Sequence, residues 1–121
     1  MILDSCILID ISRQKAGAAS FVGGLERVPS VSVLTVTEVL SGVRNQRERR
    51  LFDRLFLDWN VMEVDHETAE LAARWLNQYR PSHGLDIIDA IIAATARVHE
   101  VELITLNLKH FPMFPGLEAP Y

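Results

Sequence analysis

Asp4, Glu38 and Asp89 are the residues whose type and placement best suit chemistry. Asp4 follows the apolar pair Ile2 and Leu3. Glu38 lies three residues past the apolar run from Val31 to Thr35. Asp89 precedes Ala90-Ile-Ile-Ala-Ala94, a stretch with few other polar groups. Carboxylates brought to one edge of a fold repel one another by several kcal/mol in a medium of intermediate dielectric. Buried without cations, such a cluster loses charge through raised pKa values. A hard divalent cation such as Mg²⁺, which takes a few carboxylates plus water, is the natural counter-charge. Each acid also has an ordinary reading: Asp4 as a turn residue, Glu38 as a first-turn acid favouring the helix dipole. Asp86, one turn before Asp89, reads first as a helix N-cap and second as a fourth member of the cluster.

The elements that must position these groups alternate in type. Met1–Asp4 reads as a strand, and Cys6–Arg13 as a short helix with Ser5 as its cap. Residues 17–27 form a glycine-weakened helix, and Val31–Thr35 a β-branched buried strand. A helix opens at Thr37 and meets Gly42. Gln46–Trp59 is an amphipathic helix with Leu51, Phe52, Leu55, Phe56 and Trp59 on one face. Val61–Val64 is a third strand, His66–Tyr79 a helix stopping before Pro81, Leu85–His99 an apolar helix, and Glu102–Thr105 a fourth strand. Such alternation predicts a three-layer α/β/α domain over residues 1–121 around a parallel sheet of four or five strands. In sheets of this kind ligands bind at the carboxyl ends of the strands.

The 121 residues carry a formal charge of −4 and are 49% hydrophobic and 23% charged, which are globular values. The acidity excludes nucleic-acid binding by bulk positive charge, though not by a local patch. A single Cys6 rules out an internal disulfide and a Cys-based zinc site. No apolar run reaches membrane-span length. The opening residues lack the basic segment and cleavage site of a signal peptide, so a cytoplasmic protein is expected.

Arg44, Arg47, Arg49, Arg50 and Arg54 crowd one segment. Arg47, Arg50 and Arg54, at i, i+3 and i+7, share a face suited to RNA phosphate; the ordinary alternative is a solvated face paired locally with Glu48 and Asp53. His66 and His99 read as surface residues, His83 as a loop residue, and Cys6 as a small buried hydrophobe. Phe111, Pro112, Phe114 and Pro115 read as core or edge packing.

The segment Met-Ile-Leu-Asp-Ser-Cys-Ile-Leu-Ile-Asp (1–10) resembles the opening of PIN-domain ribonucleases, particularly VapC-type toxins of bacterial toxin–antitoxin pairs. Val33-Leu-Thr-Val-Thr-Glu-Val-Leu-Ser-Gly42 is similar to that family's second motif. Asp89-Ala-Ile-Ile-Ala-Ala-Thr-Ala96 is similar to the third, the most specific of the set. Leu103-Ile-Thr-Leu-Asn-Leu-Lys-His-Phe111 matches the Thr-x-Asn turn of the fourth. The resemblance implies a Mg²⁺- or Mn²⁺-dependent endoribonuclease holding metal through Asp4, Glu38 and Asp89. It also implies a cognate antitoxin, a homodimer and support of the site by Ser5. Many relatives carry an acid where this chain has His110. Asn107 is expected to complete the site in its place, with Thr105 orienting Asp4 and His110 facing solvent or RNA. The apolar residues Leu40, Val43, Phe52, Phe56 and Trp59 are expected to carry dimer and antitoxin contacts.

A non-catalytic PIN-like module that binds RNA or a partner is the alternative; the presence of all three acids speaks against it. A receiver-like signalling domain would need an acid pair at the first strand and a phosphorylatable Asp at the end of the third. Val64-Asp65 is its only loose match.

Overall fold

Ile2 and Leu3 form a strand of two residues, and each points into a different core. This follows from the alternation of side chains along a strand and shows that both faces of the sheet are covered. The computed structural model describes residues 1–121. In chain order the elements are β1 (Ile2–Leu3), α1 (Ser5–Ser12), α2 (Ala16–Gly23), β2 (Ser30–Ser32), α3 (Val33–Ser41) and α4 (Gln46–Asp58). They continue with β3 (Asn60–Met62), α5 (His66–His83), α6 (Ile87–Val98) and β4 (Leu103–Ile104), then a 3₁₀ turn at Leu108–His110. The sheet has four strands, all parallel, in the order β3-β2-β1-β4. The chain steps from β1 outwards to β3, then crosses back to lay β4 on the other side of β1. That reversal leaves the crevice for a ligand outside the carboxyl ends of β1 and β4.

One core lies between the sheet and α5 and α6. It contains Ile2, Trp75, Leu76, Leu103 and Phe111, together with Ala90, Ala93 and Ala94. The alanines are fully buried, and their small side chains let α6 pack closely against α5 and the sheet. The other core holds Leu3, Ile7, Leu8, Val31, Val39, Phe52 and Ile104 beneath α1, α3 and α4. The architecture is the expected α/β/α arrangement. No helix is long and apolar enough to cross a membrane.

Several local expectations are corrected. The second strand ends at Ser32, not Thr35, and α3 starts at Val33. The Ser32 hydroxyl accepts from the Leu34 N–H at 3.1 Å and starts a helix through β-branched residues. Glu38 is therefore in the second turn of α3, not the first. At α1 the cap is Asp4, not Ser5: Asp4 Oδ1 accepts from the Ser5 N–H at 2.8 Å. Helix α5 does not stop before Pro81 but runs to His83, which puts His83 on a helix rather than in a loop. Proline removes only its own N–H from the final turn, and Gly84 at φ 60° closes the helix by donating to the Arg80 carbonyl at 2.9 Å. Phe52 is buried, and Leu40, Val43, Phe56 and Trp59 pack against the same core. Those four are only partly buried, so each keeps some apolar surface on the outside of the fold.

Candidate active site

Asp4 stands directly after β1, fixed from both sides. Its Oδ1 caps α1 and its Oδ2 accepts from the Thr105 hydroxyl at 2.7 Å, just past β4. The Asn107 backbone N–H donates in turn to Thr105 Oγ1 at 3.0 Å. Because β1 and β4 are neighbours in register, with Leu3 opposite Ile104, their next residues meet at the crevice. Thr105 therefore makes the hydrogen bond to Asp4 that an orienting role would need.

Helices α3 and α6 bring the other two acids to the same edge. The Glu38 carboxyl is raised above the ordinary carboxylate range, chiefly by burial and then by repulsion from Asp4, Asp89 and Asp86, with Ser5 partly offsetting this. Its Oε1 is buried without a hydrogen-bond partner. The Asp89 carboxyl is pushed up to about 6, first by burial and then by Asp4, while His110 pulls it back and Asp86 raises it further. The mutual repulsion places Asp4, Glu38, Asp86 and Asp89 within one electrostatic neighbourhood. Asp86 occupies the N-cap position of α6, yet its side chain makes no capping bond, so its exposed carboxylate remains free.

One placement differs from expectation. His110 does not face solvent alone: Nδ1 lies 3.2 Å from Asp89 Oδ2. The 3₁₀ turn after Asn107 carries it back over α6. Asn107 is exposed, and its observed role is through the backbone. Cys6 is half-buried with its Sγ 3.7 Å from both Asp4 Oδ2 and Thr105 Oγ1, and it accepts from the Leu106 N–H at 3.4 Å. Burial and Asp4 raise its thiol pKa, which keeps it protonated and disfavours a nucleophilic role. The Ser5 hydroxyl lies 3.5 Å from Asp4 Oδ1, a long contact.

Fit to a divalent cation rests on the donors themselves. The cluster offers hard carboxylate oxygens, one of them buried and unpaired, in a setting that penalises their charge. No three Asp, Glu, His or Cys side chains are gathered tightly enough to enclose an ion by themselves. Mg²⁺ does not require such a cage, since one or two carboxylates and several waters suffice.

The arginines divide into two groups. Arg44 Nε meets Glu48 at 2.7 Å and Arg49 Nε meets Asp53 at 3.0 Å, as the local-pairing alternative expects. Arg47 donates to the Ser12 carbonyl at 2.6 Å, while Arg50 and Arg54 are exposed and make no ion pair. A surface groove lined by Ser12, Arg13, Glu38, Gly42 and Arg44 reaches Glu38 from this side.

Fold and site together define an α/β domain that gathers carboxylates at the switch point of a parallel sheet. Residues 1–112 match the PIN domain family, and the chain belongs to that family. It is 36% identical over 127 aligned positions to Ribonuclease VapC19 of Mycobacterium tuberculosis, covering 99% of this chain and 98% of that one. Ribonuclease VapC10 of the same organism is 36% identical over 93 positions, covering 76% of this chain and 69% of the relative. A chain of a toxin-antitoxin complex from Klebsiella pneumoniae superposes with a TM-score of 0.82 at 31% identity, over 99% of this chain and 97% of that one. VapBC-1 from nontypeable Haemophilus influenzae shares the fold, with a TM-score of 0.74 at 23% identity over 98% of this chain and 94% of that one.

Proposed function

We propose that this chain is a divalent-metal-dependent endoribonuclease, the toxin of a toxin–antitoxin pair. The observation that carries the reading is the buried, unpaired Oε1 of Glu38 beside Asp4 and Asp89, a donor lacking its counter-charge. Support comes from the relatives named ribonucleases and from the likeness to a chain of a toxin-antitoxin complex. Asp4, Glu38 and Asp89 would hold Mg²⁺ or Mn²⁺, which when bound supplies charge neutralisation and an acidified water for attack on an RNA phosphodiester.

The remaining work belongs to the chain. Thr105 holds Asp4 Oδ2 and the Ser5 N–H holds Oδ1, so the carboxylate is oriented before any ligand arrives. His110 sits against Asp89 and favours its ionised form. Asp86 adds negative charge at the mouth, and Asn107 presents an exposed amide beside the Thr105 turn. A cytoplasmic homodimer blocked by a cognate antitoxin completes the proposal.

The test is incubation of purified protein with total RNA. Cleavage is expected with Mg²⁺ or Mn²⁺ and not with EDTA. Binding without cleavage under both conditions would favour a non-catalytic RNA-binding module. Sedimentation at tens of micromolar tests the dimer, and a monomer there would remove that part of the proposal. A short reading frame directly upstream, whose product binds this chain and stops cleavage, would establish the pairing.

A further inference from the structure

We infer that Arg47, Arg50 and Arg54 on α4 form a phosphate track that seats the RNA backbone beside the acidic site. The inference rests on the nuclease reading for what happens to the RNA, but the track itself is an interaction surface. Along an α-helix these three positions span about 10 Å. One strand of a stacked duplex carries a phosphate about every 3.4 Å. The three guanidinium groups therefore span about three phosphate intervals of such a strand.

Charge segregation on this helix is what separates a track from an ordinary solvated face. The acids of the segment that are close enough to neutralise arginine are already engaged elsewhere: Glu48 by Arg44 and Asp53 by Arg49. The face formed by Arg47, Arg50, Leu51 and Arg54 is an open depression with three cations and no acidic lining residue. In a chain of net charge −4 this is a local reversal of sign. Three neighbouring cations repel one another and attract a polyanion, and arginine's planar fork suits phosphate oxygens.

Arg47 fixes where the track leads. It donates at 2.6 Å to the Ser12 carbonyl, at the end of α1, where helix carbonyls lack intrahelical partners. Ser12 also lines the groove that contains Arg13, Arg44 and Glu38. The arginine face and the acidic site thus share a border. That recess holds only about 100 Å³ and also contains Glu48, so it marks the border between track and carboxylates and does not itself carry the strand. Arg47 serves the packing of α1 on α4 as well, so Arg50 and Arg54, which hold no other group, are the residues to test.

The experiment measures binding of a fluorescein-labelled twelve-residue polyuridine RNA to the full chain by anisotropy, in EDTA, between 50 and 200 mM salt. Each single-strand phosphate contact adds about 0.7 to the slope of log affinity against log salt. Relative to wild type, R50A/R54A should lower that slope by about 1.4, so that its affinity falls roughly sevenfold less across this salt range. R49A, which removes an arginine already paired with Asp53, should leave the slope within about 0.3 of wild type. R50K/R54K keeps the charges and should keep the slope while binding a few-fold more weakly, because lysine lacks the bidentate fork. Mn²⁺ affinity by calorimetry should be the same in wild type and R50A/R54A, which separates the track from the carboxylate site. An unchanged slope in R50A/R54A would overturn the inference. So would a twelve-residue oligoglutamate that binds as tightly as the RNA and displaces it, since the face would then be a site for an acidic peptide. A wild type that binds with the expected slope but cuts no RNA upholds the track and overturns the nuclease reading.

Discussion

The Thr105 hydroxyl donates to Asp4 Oδ2 at 2.7 Å across a sequence separation of 101 residues, and both side chains are buried. This bond joins the ends of β1 and β4 and sets the rotation of the carboxylate most central to the site. Thr105→Val keeps the shape and removes the donor. Metal affinity should fall by about 10- to 100-fold, the usual effect of losing a partner behind a ligand. Mn²⁺ calorimetry on the variant checks this, and unchanged affinity would show that Asp4 is not a ligand or needs no such support.

Asp4→Asn, Glu38→Gln and Asp89→Asn should each reduce RNA cleavage by more than about 100-fold, exceeding the loss expected for a supporting residue. The folds should survive, because neutralising a member of a repulsive set removes an unfavourable interaction. Cleavage assays in Mg²⁺ paired with thermal melts distinguish lost chemistry from lost structure. Near wild-type cleavage by Asp89→Asn would contradict the site assignment.

Stability should depend on pH through Asp89. Its carboxyl rises from 3.8 to about 6 on folding, so between these values the folded chain binds more protons than the unfolded one. Stability contributed by the protonated form is therefore complete below about pH 4 and lost as pH rises through about 6. Glu38 is shifted in the same direction. Asp89→Asn should flatten this part of the profile and raise the melting temperature above pH 6. Melting curves of both proteins in metal-free buffer decide it; parallel profiles would mean the cluster is better solvated than its burial indicates.

Tyr121 docks against the start of the chain. Its hydroxyl donates to the buried Asp10 Oδ2 at 2.9 Å, and Lys15 Nζ lies 3.1 Å from Oδ1. Tyr121→Phe should cost about 1–2 kcal/mol of stability, since a charged acceptor loses one of its donors. At Gly17 an added Cβ would stand 2.8 Å from Tyr121 Cδ2, so Gly17→Ala must displace the ring. Chemical denaturation of the two single variants and the double should show costs that do not add, because both disturb one contact. Strict additivity would indicate that the ring is not held there.

The local code of this sequence was enough to place the layers and the three acids. Strand-like pairs and runs alternating with helical periodicity require a parallel sheet with covered faces. The apolar segment from Ala90 to Ala96 contains residues that demand burial almost all round, and α6 is where that demand is met. Asp4 after Ile2-Leu3 marks a strand's carboxyl end because an acid ends the apolar run, although its capping of α1 in place of Ser5 appeared only in the fold.

Boundaries and partners were decided elsewhere. The run from Val31 to Thr35 is rich in β-branched residues and reads as strand, yet its burial and the Ser32 cap turn most of it into helix. Asp86 has the sequence position of a cap, but only the folded geometry leaves its side chain without a capping bond. Whether His110 reaches Asp89 depended on how a 3₁₀ turn lies over α6, which no local propensity encodes. The i,i+4 spacing offered Glu48 and Asp53 as local partners, but no local pattern tells that Arg47 turns to a distant carbonyl. That outcome follows from the packing of α4 against α1, where the Ser12 carbonyl takes Arg47, and from side-chain pairing along the segment, where Glu48 and Asp53 take Arg44 and Arg49. Residue types fix which interactions are available, whereas contacts between distant segments select among them, because each polar group can satisfy only the partners the completed fold brings within reach.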